Sequence, residues 1–237
     1  MNCIVVASGK GGTGKSCVAA YTAMALAKEG RRTIIIEMGA EPRALDLILG
    51  TAGAPFGLHD VLAGECDYHA AALPVEGAPG LEFMGPGDLT VPFSADKMAS
   101  LLHALRLVYD YIVVDGADIR DFPIKSATTF LMVVTPDTLC ARASSDAVRR
   151  LYGLGAKEVR LVINNVPTRI IPIDGAEDFD DLIDMVGAQL IAVIPASPKL
   201  QFCSNNARQL DPDSLTVKVF ESLAGRLMGQ RRPLLIR

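Results

Sequence analysis

Ala7-Ser8-Gly9-Lys10-Gly11-Gly12-Thr13-Gly14-Lys15-Ser16 decides how this chain is read. Residues 9 to 16 satisfy G-x-x-x-x-G-K-[ST], with the apolar run Cys3 to Ala7 directly before them and a helical pattern directly after. The glycines let the backbone curl so that its N–H groups face phosphate oxygens, where a Cβ would block the approach or forbid the dihedrals. The anion then rests on the positive end of a helix. Lys15 is expected to reach the terminal phosphates. The Ser16 hydroxyl is expected to join the shell of a Mg²⁺ ion, which prefers oxygen donors and water.

Outward from this loop, short apolar runs alternate with longer amphipathic stretches. The runs are Cys3 to Ala7, Thr33 to Ile36, Leu81 to Met84, Tyr111 to Val114, Leu131 to Val134, Arg160 to Ile163 and Leu190 to Ile194. Several are rich in Val and Ile with little polar alternation, as in strands buried on both faces. Helical spacing marks Lys15 to Glu29, Ala95 to Leu107, Ser144 to Leu154, Asp180 to Val186 and Ser214 to Met228, with Gly30 as a C-terminal stop for the first. The alternation predicts a three-layer, doubly wound α/β fold: a mostly parallel sheet with helices on both faces and ligands at the carboxyl ends of the strands. The stretch Gly50 to Gly87 reads as loops around a helical turn at Leu58 to Ala63, so residues 1–237 are expected to form a single domain.

Composition suits this reading. Half of the 237 residues are apolar and 21% are charged, enough for a large core. A net charge of -4 does not advertise a binder of nucleic-acid backbone, although Arg149, Arg150, Arg160 and Arg169 could form a local patch. The five cysteines, Cys3, Cys17, Cys66, Cys140 and Cys203, include no C-x-x-C pair, and the N-terminus has no leader-like pattern. They are expected to be reduced thiols in a cytoplasmic protein. No apolar run approaches the roughly 20 residues that a membrane span needs. Cys66 and His69 lack a second ligand pair nearby and are not expected to bind metal, while His59 and His103 read as surface or packing residues.

The full string around Lys10 resembles the deviant Walker A motif, K-G-G-x-G-K-[ST], of the MinD/ParA family of P-loop ATPases. That resemblance extends over nearly the whole chain. Arg43 to Gly50 and Leu58 to Gly64 are similar to segments that follow the second strand in MinD proteins, and Tyr111-Ile112-Val113-Val114-Asp115 is similar to the Walker B strand. The resemblance implies ATP held by Gly9 to Ser16 and Cys17, with Asp115 holding a Mg²⁺-bound water. It also implies that Lys10 contacts the nucleotide of a second subunit, so that a homodimer forms around ATP. Val162-Ile163-Asn164-Asn165-Val166 resembles the family's adenine-reading asparagine motif, with Asn164 as the reader. The region of Pro195 is similar to the loop whose backbone passes beside the base.

Two departures bear on mechanism. Family members usually carry D-x-D after the second strand, where this chain reads Glu37-Met38-Gly39. Glu37 can still stand near the metal, but Gly39 has no side chain to orient water, so hydrolysis is expected to be slow unless Glu41 or Asp118 substitutes. The chain stops at Arg231-Arg232-Pro233-Leu234-Leu235-Ile236-Arg237, a tail too short and too interrupted to bury much in lipid, so membrane contact is expected to be weak, absent or made through a partner. The implied function is a MinD-like switch that dimerises around Mg·ATP and recruits a regulatory or cargo protein to place the division site. The alternatives are a barely hydrolysing scaffold for a pilus, flagellum or other surface machine, a DNA-partitioning ATPase, and an enzyme using ATP on a small molecule.

Overall fold

The computed structural model describes residues 2–39, 44–51, 54–90, 92–117, 119–167, 179–208 and 210–235. Eight strands lie in one sheet in the order β3-β4-β2-β5-β1-β6-β7-β8. They are β1 (Asn2–Ala7), β2 (Thr33–Glu37), β3 (Ala72–Pro74), β4 (Leu81–Met84), β5 (Tyr111–Asp115), β6 (Thr129–Val134), β7 (Val159–Val166) and β8 (Gln189–Pro195). All neighbours pair in parallel except β3, which runs antiparallel to β4 at the edge. The expected doubly wound, mostly parallel sheet is therefore present.

Alternation along each strand divides the core into two layers. Cys3, Val5 and Ala7 of β1 face one layer while Ile4 and Val6 face the other. The first layer is covered by α3 (Leu58–Ala63), α5 (Ala95–Leu105), α6 (Thr138–Gly153) and α7 (Phe179–Val186). The second is covered by α1 (Lys15–Lys28), α2 (Leu45–Leu49), α8 (Pro198–Asn205) and α9 (Leu215–Leu227). A short α4 (Tyr68–Ala71) precedes β3. Parallel strands on both sides of β1 make its carboxyl end a crevice between diverging crossovers, and the glycine-rich loop leaves β1 at that point.

The structure adds elements that sequence pattern did not show. Within the stretch read as loops, α4 and β3 are present; both are too short to display a period, and Pro74 is tolerated because β3 is an edge strand. Helix α6 starts at Thr138, six residues before the expected Ser144, because the Asp137 carboxylate accepts a hydrogen bond from the Cys140 amide at 2.8 Å and caps the first turn. The tail lies on the domain: Ser222 Oγ donates to the Pro233 carbonyl at 2.6 Å, and Arg232 stands 3.5 Å from Glu29. Leu234 and Leu235 are partly buried against the core. Among the described residues, no helix is long and apolar enough to cross a membrane. His59 is buried beside Phe93, whereas His103 is exposed.

Candidate functional site

Three of the loop glycines answer to two different physical demands. A Cβ on Gly9 would collide with the backbone of Ala143 and Ser144, so only glycine lets α6 pack directly on the loop. The Gly9 amide also donates to Ser144 Oγ at 3.3 Å. Gly12 and Gly14 have φ of 76° and 86°, the left-handed region that disfavours a side chain. At Gly11 and Gly12 a Cβ would meet nothing within 4 Å among the described residues, so the space beside the loop is open. Gly14 immediately precedes α1, so the first amides of that helix face the same space.

Beneath the loop, β2 and β5 end side by side, with Glu37 in register with Asp115. Both carboxylates are buried. Asp115 interacts with the Ser16 hydroxyl and with the Lys15 charge, yet burial dominates and holds its carboxyl above the usual range. Its Oδ1 is buried with no hydrogen-bond partner. Glu37 is raised in the same direction, first by burial and then by the neighbouring Asp115 charge, against the pull of two backbone amides. Those amides, of Ala44 and Leu45, donate to Oε1 at 3.0 and 3.3 Å, so Glu37 serves as the anchor of α2, while Oε2 has no partner. The unsatisfied, buried Oδ1 of Asp115, a residue in contact with Ser16 and near the Lys15 charge, fits a divalent cation that takes its remaining donors from phosphate and water. Among the described residues, no group of three acidic, His or Cys residues could hold a metal by itself. Glu41 and Asp118, the candidate substitutes for a water-orienting carboxylate, lie outside the described residues.

Lys10 carries an exposed charge on this loop. Its Nζ lies 3.8 Å from Asp137 Oδ1, and both side chains are largely exposed. The Asp137 carboxylate is held below its usual range first by the Thr135 hydroxyl and next by the Cys140 amide, so it is a ready anion for Lys10. An exposed pair of this kind contributes about 0–1 kcal/mol, little enough for phosphate to displace.

Next to the loop is a cleft of about 470 Å³, within the range of small-molecule sites. Thr13, Cys17, Ile48, Asn164, Pro195 and Ser204 are among its walls. Asn164 Nδ2 donates to the Thr13 carbonyl at 2.8 Å, tying β7 to the loop. The register of β7 against β8 slips between Ile163 and Val166, and Asn165 adopts φ 59°; this irregularity accompanies the placement of both asparagines on the cleft. Sequence reasoning missed α8, which supplies Leu200, Gln201 and Ser204 to this wall. The signal was present in Ser197-Pro198: the Ser197 side chain accepts from the Leu200 amide at 3.1 Å and Pro198 fills the first turn. Cys17 Sγ lies 3.6 Å from Ser204 Oγ, and burial pushes its thiol up to about 11, so it is a packing group in the cleft rather than a nucleophile.

The arginines are dispersed. Arg149 sits 3.7 Å from Asp146 on α6, Arg160 bonds Glu158 at the other end of the sheet, and Arg169 lies outside the described residues. Cys66 is half-buried and His69 is exposed.

Comparison with known proteins agrees with this geometry. Residues 4–210 match the family model described as the CobQ/CobB/MinD/ParA nucleotide binding domain. The septum site-determining protein MinD of Synechocystis sp. is 28% identical, over 98% of this chain and 91% of that protein. The MinD of Thermotoga maritima is 29% identical, over 98% and 90% respectively. Among solved structures, the MinC:MinD cell division protein complex of Aquifex aeolicus superimposes with a TM-score of 0.90 at 27% identity, covering 100% of this chain and 99% of that one.

Proposed function

Since the chain belongs to the CobQ/CobB/MinD/ParA nucleotide-binding family, we propose that it is a MinD-like switch that binds Mg·ATP, dimerises around it and recruits a partner protein that positions the division site. The loop amides and the start of α1 bind the phosphates, and Lys15 orients the terminal one. Ser16 and Asp115, which contact each other, would hold a magnesium ion, Ser16 through its hydroxyl and Asp115 through water. Magnesium, when bound, would neutralise charge on the phosphoryl group being transferred. Glu37 keeps α2 against the end of β2 and so ties the cleft wall to the metal end of the site.

The observation that carries the switch is the place of Lys10. It is exposed and engaged with Asp137 across a weak surface pair. A cation so held exchanges Asp137 for the phosphates of a facing subunit at little cost, which makes dimer affinity depend on nucleotide charge. Light scattering with ATP and with ADP tests this. Wild type should dimerise with ATP alone and Lys10→Ala should stay monomeric; a Lys10→Ala protein that dimerises as wild type does overturns the role of Lys10.

A second reading, a barely hydrolysing scaffold of the same family that positions a surface machine, is favoured by Gly39. Among the described residues a Cβ there would meet only the Gly116 Cα, at 3.6 Å, an ordinary contact, and the position carries no side chain. Phosphate release measured with and without candidate partners separates the two readings, since stimulated turnover excludes the scaffold.

A further inference from the structure

A groove of about 670 Å³ lies on the α1 side of the sheet, apart from the phosphate loop, between α1, α2, α9, the β3–β4 turn and the α8–α9 connection. Its floor is apolar. Leu49, Val75 and Leu210 are buried there, Met24 is partly buried, and the rings of Tyr21 and Phe220 stack at 5.3 Å to make a rigid base. Among the described residues, no buried side-chain nitrogen or oxygen that lacks a hydrogen-bond partner belongs to this lining. A polar group pushed to the floor would lose its water without finding an unpaired side chain, so the part of a ligand that enters has to be hydrocarbon.

The charges stand at the rim and cancel. Two basic residues, Lys28 and Arg208, are matched in number by Glu76 and Glu221. Lys28 Nζ is 2.6 Å from Glu221 Oε1, and the Arg208 guanidinium lies 5.6 Å from the centre of the Phe202 ring. An ionised ligand would gain little from a rim of zero net charge and would give up its own hydration, so an uncharged one is favoured. Size and exposure separate a small molecule from a protein. The volume falls within the about 300–1,000 Å³ of small-molecule sites. None of the large apolar side chains that stand exposed among the described residues, such as Leu107, Leu139 and Phe202, belongs to the lining. A protein partner needs anchors turned outward, whereas here the apolar area is reached only from inside the groove.

The groove adjoins the nucleotide cleft through α2. Ile48 is a wall of both cavities. Ala207, also in the lining, has φ 50°, uncommon for a residue with a side chain, and a Cβ on Gly50 at the end of α2 would stand 3.1 Å from the Ala207 Cβ. The five-residue α2 thus has the cleft on one side, the groove on the other and the end of α8 against its C-terminus.

We propose that this groove binds an uncharged, mainly hydrocarbon small molecule, and that filling it braces α2 and tightens nucleotide binding in the neighbouring cleft. The binding half stands on the groove alone, and the coupling half rests on the nucleotide reading above.

The full chain, isotopically labelled and free of nucleotide, is titrated with biphenyl-4-methanol and with two charged twins of the same shape, biphenyl-4-carboxylate and biphenyl-4-methylamine. The alcohol should give saturable shifts at the Ala25, Leu49, Gly50, Ala78 and Val217 amides and nuclear Overhauser contacts to the Met24 and Leu49 methyl groups, and each twin should bind severalfold more weakly. Ala78→Trp and Val217→Trp each put a large ring into the groove, and either one that melts as wild type does should lose the shifts. Shifts or Overhauser contacts centred elsewhere, a charged twin that binds as tightly as the alcohol, or a folded tryptophan variant that still binds would each overturn the site. Shifts at the same amides on raising protein concentration alone would give the groove to a second copy and overturn it as well. Calorimetry should show Mg·ATP binding severalfold tighter with the alcohol saturating and, by reciprocity, the alcohol binding tighter with Mg·ATP. Unchanged affinity overturns the coupling and leaves the site standing. Absence of any nucleotide heat would sink the nucleotide reading and the coupling with it, while the amide shifts still decide the groove.

Discussion

Gly39→Asp should speed ATP hydrolysis without breaking the fold. The backbone at Gly39 is not in the left-handed region, unlike that of Gly116. A Cβ at Gly39 would sit 3.6 Å from the Gly116 Cα, an ordinary contact, whereas a Cβ at Gly116 would come within 2.5 Å of the Gly39 amide nitrogen. Replacing glycine at a compatible position stabilises by about 0.4–1 kcal/mol through the unfolded chain. A third carboxylate near Asp115 and Glu37 opposes that gain, most strongly without metal, so the apo variant should melt close to wild type or slightly below it. A water-orienting carboxylate contributes typically about 10²- to 10⁴-fold in rate, and even an imperfect placement should yield about 10-fold or more. The assay is single-turnover phosphate release with saturating Mg·ATP, with Gly39→Asn as the uncharged control. A folded, nucleotide-binding Gly39→Asp protein that hydrolyses no faster than wild type would refute the argument that the missing carboxylate limits turnover.

Other consequences follow from the same site. Gly9→Ala forces a methyl group into the α6 backbone and should cost about 1–3 kcal/mol of stability along with most of the nucleotide affinity, read by melting and calorimetry. Asp115 and Glu37 both have folded-state pKa values above their unfolded ones. The stability they contribute is therefore complete below the unfolded carboxylate value of about 4 and is lost as pH rises through the higher folded values. Melting of the metal-free protein should accordingly fall as pH rises from mildly acid to neutral, Asp115→Asn should flatten that fall, and Mg·ATP should reverse it. Asp137→Ala should free Lys10 and remove the cap of α6, lowering stability by about 1 kcal/mol while leaving ATP-dependent dimerisation intact in light scattering.

How much was legible depended on whether a feature is local. Met84, Val114 and Ile163 belong to runs whose lack of alternation marks strands buried on both faces, and β4 has the expected bounds. The loop was legible because its chemistry demands glycine at fixed offsets. Asp137, Ser197 and Pro198 carried capping signals that would have placed the starts of α6 and α8, and the period-based reading passed over them. Helices α2 and α4, of five and four residues, and the three-residue β3 have too little length for any period to show.

The sequence by itself determined the layered α/β sheet and the phosphate loop at its centre, because hydrophobic periodicity and backbone permissiveness are written in neighbouring residues. Tertiary structure alone decided that Glu37 ends beside Asp115 with unsatisfied oxygens, that Asn164 grips Thr13, that Lys10 leans on Asp137, and that an apolar groove opens between α1 and α9. Those relations join residues far apart along the chain, and the burial that sets their charge states exists only after the sheet and its helices have packed.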